Sequence, residues 1–163
     1  MRSIGIIYLT LSGNTEHIAR QLKEIDPSIK LIPIKILDKI PRFKWRQIVK
    51  YGARTIMNRP IKYECDVSVV DQVDSIIIGS PIWVGRIPSP VRDIISSIDL
   101  KDKKIAAYCT FDSDPADFKD QLYAFTDSAL FSAFHAFKEP LDKESPQFKQ
   151  ALFSLLQALG SSE

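Results

Sequence analysis

Residues Thr10-Leu11-Ser12-Gly13-Asn14-Thr15 stand between two patterned segments. Before them lies Ile4-Gly5-Ile6-Ile7-Tyr8-Leu9, short, apolar and rich in β-branched side chains. After them Ile18, Ala19, Leu22 and Ile25 recur at helical spacing. A continuous apolar run of that length fits a strand buried on both faces of a parallel sheet. The sequence therefore predicts strand, polar loop and helix in immediate succession, with the loop at the positive end of the helix dipole. Gly13 permits close backbone approach, Thr10, Ser12 and Thr15 offer hydroxyls, Asn14 offers an amide, and the loop holds no Lys or Arg. Such a loop suits a phosphate dianion. A nucleoside-triphosphate loop would need Gly, four residues and Gly-Lys-Ser/Thr, and a dinucleotide fold would need Gly-x-Gly-x-x-Gly; neither string occurs. A stretch of Ser, Thr, Asn and Gly also serves as a plain capped turn, so the rest of the chain must decide.

At 163 residues the chain has room for one five-stranded α/β domain, and residues 1–163 are expected to form that single domain. An apolar fraction of 45% and a mean hydropathy of -0.06 are those of an ordinary globule. No apolar stretch reaches membrane-spanning length, and no signal-peptide pattern precedes the first strand, so a cytoplasmic location without a membrane span is expected. Cys65 and Cys109 lack Cys-x-x-Cys spacing and should be reduced thiols. His17 and His135 have no metal-ligand spacing. Ser80 lacks the Gly-x-Ser-x-Gly elbow of a hydrolase.

The formal charge is +2, and the excess is local. Between Lys35 and Lys62 stand Lys35, Lys39, Arg42, Lys44, Arg46, Lys50, Arg54, Arg59 and Lys62 against Asp38 alone. Such a block steers anionic partners or forms a solvated helix face. No nucleic-acid module accompanies it, and no nucleic-acid partner is expected.

Apolar runs alternate with helical patterns along the chain, which predicts repeated βα units, a parallel sheet and helices on both faces. Strands are expected near residues 3–9, 30–36, 75–79, 104–109 and 130–137. Helices are expected near 14–25, 43–57, 90–97, 115–125 and 145–159. Arg59-Pro60 should stop the second helix, with polar chain leading on to the next strand. Residues 160–163 read as a frayed end.

Thr10 to Glu16 resembles, position by position, the phosphate loop of the flavodoxin family, Thr/Ser-x-Thr/Ser-Gly-Asn-Thr-Glu directly after the first strand. The resemblance implies a flavodoxin-like, doubly wound five-stranded parallel sheet in the order 2-1-3-4-5, with FMN as cofactor. It places the loops after the first, third and fourth strands together at the carboxyl edge, where open α/β sheets bind ligands. The second of these, Pro81-Ile82-Trp83-Val84-Gly85, is similar to the family's second flavin loop, so Trp83 is expected to stack on or flank the ring. In that family a peptide of this loop turns its carbonyl toward the ring on reduction, a role that would fall on Val84 or Gly85. A tight turn alone would need the same small residue. The third loop begins Thr110-Phe111-Asp112 and should meet the pyrimidine end of the ring. It departs from the family's Gly-rich form. Asp114 is expected to cap the following helix, and Asp112 either faces the ring or does not.

The resemblance thus implies an FMN-binding electron-transfer protein. It would act as a carrier between partner proteins, or as an oxidoreductase using NAD(P)H and a small acceptor such as a quinone. The basic segment fits an acidic redox partner, the inverse of the charge usual in flavodoxins. A rival reading keeps the fold as a flavin-free interaction or regulatory domain. No catalytic acid or base is singled out. Phe43 and Trp45 read as core-facing or as part of a dimer contact.

Overall fold

The first apolar run does form a strand with every residue buried, β1 (Ile4–Leu9), and the helical pattern forms α1 (Asn14–Ile25). The computed structural model describes residues 3–115, 117–126 and 131–160. The chain continues through β2 (Lys30–Ile36), α2 (Lys44–Gln47), a π-helical segment (Ile48–Gly52), α3 (Ala53–Ile56), β3 (Tyr63–Glu64) and a 3₁₀ segment (Val67–Gln72). It then runs through β4 (Ser75–Pro81), α4 (Ser89–Ser97), β5 (Lys104–Phe111), α5 (Phe118–Ala124), β6 (Phe131–Lys138) and α6 (Pro146–Leu159). Leu130, Ala116 and residues 161–163 of the expected strand, helix and frayed end lie outside the described residues.

The sheet runs β3-β2-β1-β4-β5-β6. The five expected strands keep their expected order and are parallel throughout. The count of five is corrected to six. Tyr63 and Glu64 add an antiparallel edge beside Ile36 and Lys35. Two residues show no period, so this strand had no signal in the sequence; it forms because β2 otherwise presents unpaired backbone groups.

Period-two alternation divides the core into two layers. Ile4, Ile6 and Tyr8 face α1 and α6, meeting Ile18, Leu22, Phe148, Leu152 and Leu155. Ile7 and Leu9 face the opposite layer, where α4, α5, Tyr51 and Trp83 cover Ile32, Ile76, Ile78, Ile105 and Cys109. Ser145 starts α6 by accepting from the Phe148 N–H at 3.1 Å, and Gly160 ends it at φ 78°.

The helix expected over 43–57 is interrupted. Residues Ile48–Gly52 take π geometry between two single α-turns, and the helix ends at Ile56, where Asn58 turns left-handed at φ 49° ahead of Pro60. Helix five also starts later than expected. Its N-cap is Asp117, not Asp114. Both β4 and β5 run two residues beyond their expected ends, so Pro81, Thr110 and Phe111 belong to strands.

At the middle of the sheet Gly79 lies between Tyr8 and Tyr108 in register. A β-carbon there would overlap the Tyr108 phenol, which is fully buried and donates to the Thr15 carbonyl at 2.8 Å. Gly79→Ala must therefore displace Tyr108. The expected cost is roughly 1–3 kcal/mol of stability, read as a lowered midpoint of urea unfolding. An unchanged midpoint would show that the Tyr108 pocket yields freely.

Candidate functional site

Gly13 caps α1 at φ 90°, a left-handed conformation that suits glycine, and supplies no side chain to the helix end. The Gly13 N–H donates to Thr10 Oγ1 at 2.9 Å, which closes the loop on itself. The amides of Asn14, Thr15 and Glu16 form the first turn and have no intrahelical acceptor. Ser12 is exposed, and its hydroxyl accepts from Asn14 Nδ2 at 3.3 Å. Thr15 is placed differently from expectation. Its side chain is buried, with Oγ1 2.9 Å from Thr110 Oγ1, so this hydroxyl ties the first loop to β5 instead of facing out as a phosphate donor.

Beside the loop opens a cleft of about 340 Å³. Leu11, Ser12, Pro81, Ile82, Trp83, Val84, Gly85, Thr110, Phe111 and Asp112 all line it. Thr10, Gly13, Asn14 and Thr15 do not line the cleft; they form the loop and first helical turn next to it. The three expected loops thus converge. The Ile82 N–H donates to the Thr110 carbonyl at 3.1 Å, which joins the second loop to the third.

The second loop is a tight turn in which Trp83 and Arg86 exchange both backbone hydrogen bonds, at 3.0 and 3.1 Å. Its two central residues, Val84 at φ 52° and Gly85 at φ 71°, are left-handed, as a type I′ turn demands. That conformation is natural for Gly85 and strained for a β-branched valine, by about 1–3 kcal/mol. Gln121 of α5 holds the turn: its side-chain amide Nε2 donates to the Gly85 carbonyl at 2.8 Å, and its Oε1 accepts from the Ile87 N–H at 3.2 Å. Trp83 is only 9% exposed and stacks on Tyr51 with ring centroids 5.4 Å apart. It is a wall of the cleft fixed by the core, not a mobile aromatic cover.

The third loop carries charge into the cleft in a compensated form. Lys44 Nζ lies 2.9 Å from Asp112 Oδ2 and 3.2 Å from Oδ1. The Lys44 ammonium holds the Asp112 carboxyl below its ordinary range. On its other side Asp112 hydrogen-bonds Glu139, whose carboxyl is pushed up first by burial and also by the neighbouring carboxylate, while Asn14 bonds to it in opposition. The two carboxyls are thus shifted in opposite directions, Asp112 down by the ammonium and Glu139 up by burial and by its acidic neighbour. Asp114 lines the same cleft.

Ser113 of the third loop lines the cleft as well, and so do Lys44, Gln47, Ile48, Gly52 and Glu139, which lie outside the three expected loops. Glu139 had a signal, since it directly follows the last parallel strand at the carboxyl edge. Lys44 and Ile48 had none, because only the packing of α2 and the π segment against the second loop brings them there. Among the described residues no three His, Cys, Asp or Glu side chains group as metal ligands. Cys109 is buried with its thiol pushed up to about 12, and Cys65 up to about 11, so neither is a ready nucleophile. No helix among the described residues is long and apolar enough to cross a membrane.

No protein-family model and no curated protein matches this sequence. Solved structures do match. A flavoprotein from Lactobacillus acidophilus NCFM in complex with FMN aligns at TM-score 0.67 and 16% identity, over 91% of this chain and 99% of that one. A provisionally named flavoprotein from Bacteroides eggerthii aligns at TM-score 0.78 and 15% identity, over 99% and 100%. The two-electron reduced flavodoxin of Megasphaera elsdenii aligns at TM-score 0.63 and 14% identity, over 94% and 98%. With its parallel sheet, flanking helices and a cleft at the carboxyl edge, the chain has the flavodoxin-like α/β fold.

Proposed function

We propose that this protein binds FMN in the cleft and transfers electrons through it. The carrying observation is the placement of an uncapped, uncharged helix N-terminus directly beside a mainly apolar cleft of ligand size. The fit can be tested on the residues present. The amides of the first turn of α1 require an outside acceptor, Ser12 adds an exposed hydroxyl, and a terminal phosphate supplies the acceptor. Ile82, Trp83, Val84 and Ile48 give apolar walls against which a planar ring can lie. The FMN found in the L. acidophilus structure supports the same choice of ligand.

Bound flavin would supply one- and two-electron redox chemistry. The chain's part is binding, orientation and charge control. The first loop and the α1 N-terminus anchor the phosphate. The Trp83–Arg86 turn, held by Gln121, sets the position of the Val84 and Gly85 peptides against the ring. Lys44 compensates Asp112, so that the third loop presents less negative charge to the ring than its sequence suggests. A carrier and an oxidoreductase supplied by NAD(P)H both fit this site. The test is direct: purified protein should carry, or take up, FMN with a flavin absorption spectrum, and anaerobic reduction with NADH or NADPH separates the two roles. A colourless protein that ignores added FMN would favour the flavin-free interaction domain.

FMN should bind well over tenfold more tightly than riboflavin, because riboflavin lacks the charge-assisted bonds to the loop. Similar dissociation constants for the two would remove the phosphate assignment. Ser12→Ala should weaken FMN by about 1 kcal/mol with no loss of fold stability, whereas Thr15→Ala should also destabilise the protein through the orphaned Thr110 hydroxyl.

Glu139 makes the site pH-dependent. Its folded value is raised, so the neutral form, with its bond to Asp112, is present at low pH and is lost as pH rises above the ordinary glutamate range near ~4.3. The charge that then appears opposes the anionic phosphate. Wild-type FMN affinity should fall with rising pH relative to Glu139→Gln, which keeps the hydrogen bonds without titrating. The phosphate's own ionisation cancels in that ratio. Parallel affinity profiles for the two proteins from pH 5 to 8 would sink this account.

A further inference from the structure

Residues 37–57 leave large apolar side chains outside the core. Leu37, Phe43, Trp45, Ile48, Val49 and Ile56 are all exposed, Trp45 and Val49 at 61%. Trp45, Val49 and Ile56 stand exposed along the helical stretch, while Tyr51 and Thr55 of the same stretch are buried. Cations interleave with this apolar stripe. Lys44 and Arg54 are paired with Asp112 and Asp38, but Lys39, Arg42, Arg46 and Lys50 form no ion pair among the described residues. The Arg46 guanidinium lies over both aromatic rings, 6.0 Å from the Phe43 centroid and 5.2 Å from that of Trp45.

We propose that this face docks the protein onto an anionic lipid bilayer, with Phe43, Trp45 and Val49 entering the headgroup region and the unpaired cations meeting lipid phosphate. Three occupants compete for such a face. A second copy would bring like charges together in a two-fold contact. An acidic protein surface answers the cations but gives no role to the exposed apolar stripe, since charge steering needs none. An anionic bilayer answers both, as a basic, aromatic-bearing helix lying in the interface plane does. Lys44, Gln47 and Ile48 of the same stretch line the cleft, so docking turns the cleft mouth toward the lipid. The inference uses surface residues alone and stands whether or not the cleft holds flavin.

The full chain, mixed with phosphatidylcholine vesicles with and without about one quarter phosphatidylserine, tests this by co-sedimentation and tryptophan emission. The chain has two tryptophans and Trp83 is buried, so a blue shift on binding reports Trp45. Partition should be at least about tenfold stronger to the anionic vesicles, and a blue shift should accompany it. Lys39→Gln with Arg42→Gln and Arg46→Gln should lower partition about tenfold. Val49→Ser with Ile56→Ser should lower both partition and shift, while circular dichroism shows each variant folded. Failure to partition at low salt would overturn the proposal. So would partition without an emission shift, equal partition to both vesicle types, or unchanged partition in both variants. Binding to soluble polyglutamate as strong as to anionic vesicles, with the same shift, would assign the face to an acidic protein instead.

Discussion

The cleft depends on one buried polar junction. Tyr108 donates to the Thr15 carbonyl, and the hydroxyls of Thr15 and Thr110 meet at 2.9 Å, all beneath the carboxyl edge of the sheet. These groups are removed from water, so each needs its partner; a lone buried hydroxyl costs about 1–3 kcal/mol. The consequence is positional. The first turn of α1 is held against the end of β5, and the amides that face outward are held with it. Gly79 completes the junction by leaving the volume that Tyr108 occupies.

From that junction the cleft acquires a division between an uncharged end and a compensated acidic end. The loop of residues 10–15 carries no charge and leads into the free backbone amides of the α1 N-terminus. The third loop brings Asp112, Asp114 and the nearby Glu139, yet the Lys44 ammonium offsets the Asp112 charge. Between them the second loop is strained at Val84 and held by hydrogen bonds from Gln121. A turn held in a costly conformation by its surroundings is a natural element for controlling what lies against it.

The helical stretch between β2 and β3 serves two surfaces at once. Inward, Tyr51 stacks on Trp83, and Gly52 leaves room for Val84, whose side chain would clash with a β-carbon there. The π geometry of Ile48–Gly52 accompanies this close fit against the second loop. Outward, the same stretch keeps Trp45, Val49 and Ile56 in solvent among unpaired cations. Ion pairs to Asp38 and Asp112 fasten it to the body through Arg54 and Lys44.

Local pattern marked the five parallel strands, because buried strands and polar turns write their periods directly into the chain, while the resemblance of residues 10–16 implied their order and the convergence of three loops. It also marked the basic segment. Tertiary structure decided the rest. The two-residue β3 lies along the free edge of β2, Gly52 leaves the volume that the Val84 side chain fills beside the π segment, and α5 begins at Phe118, each a matter of packing between segments. The Thr15 side chain turned inward to Thr110, and Trp83 was fixed as a wall of the cleft by Tyr51, both partners being distant in sequence. Lys44 and Glu139 reached Asp112 across long separations that no local pattern encodes, since a contact between distant residues is a property of packing and not of spacing.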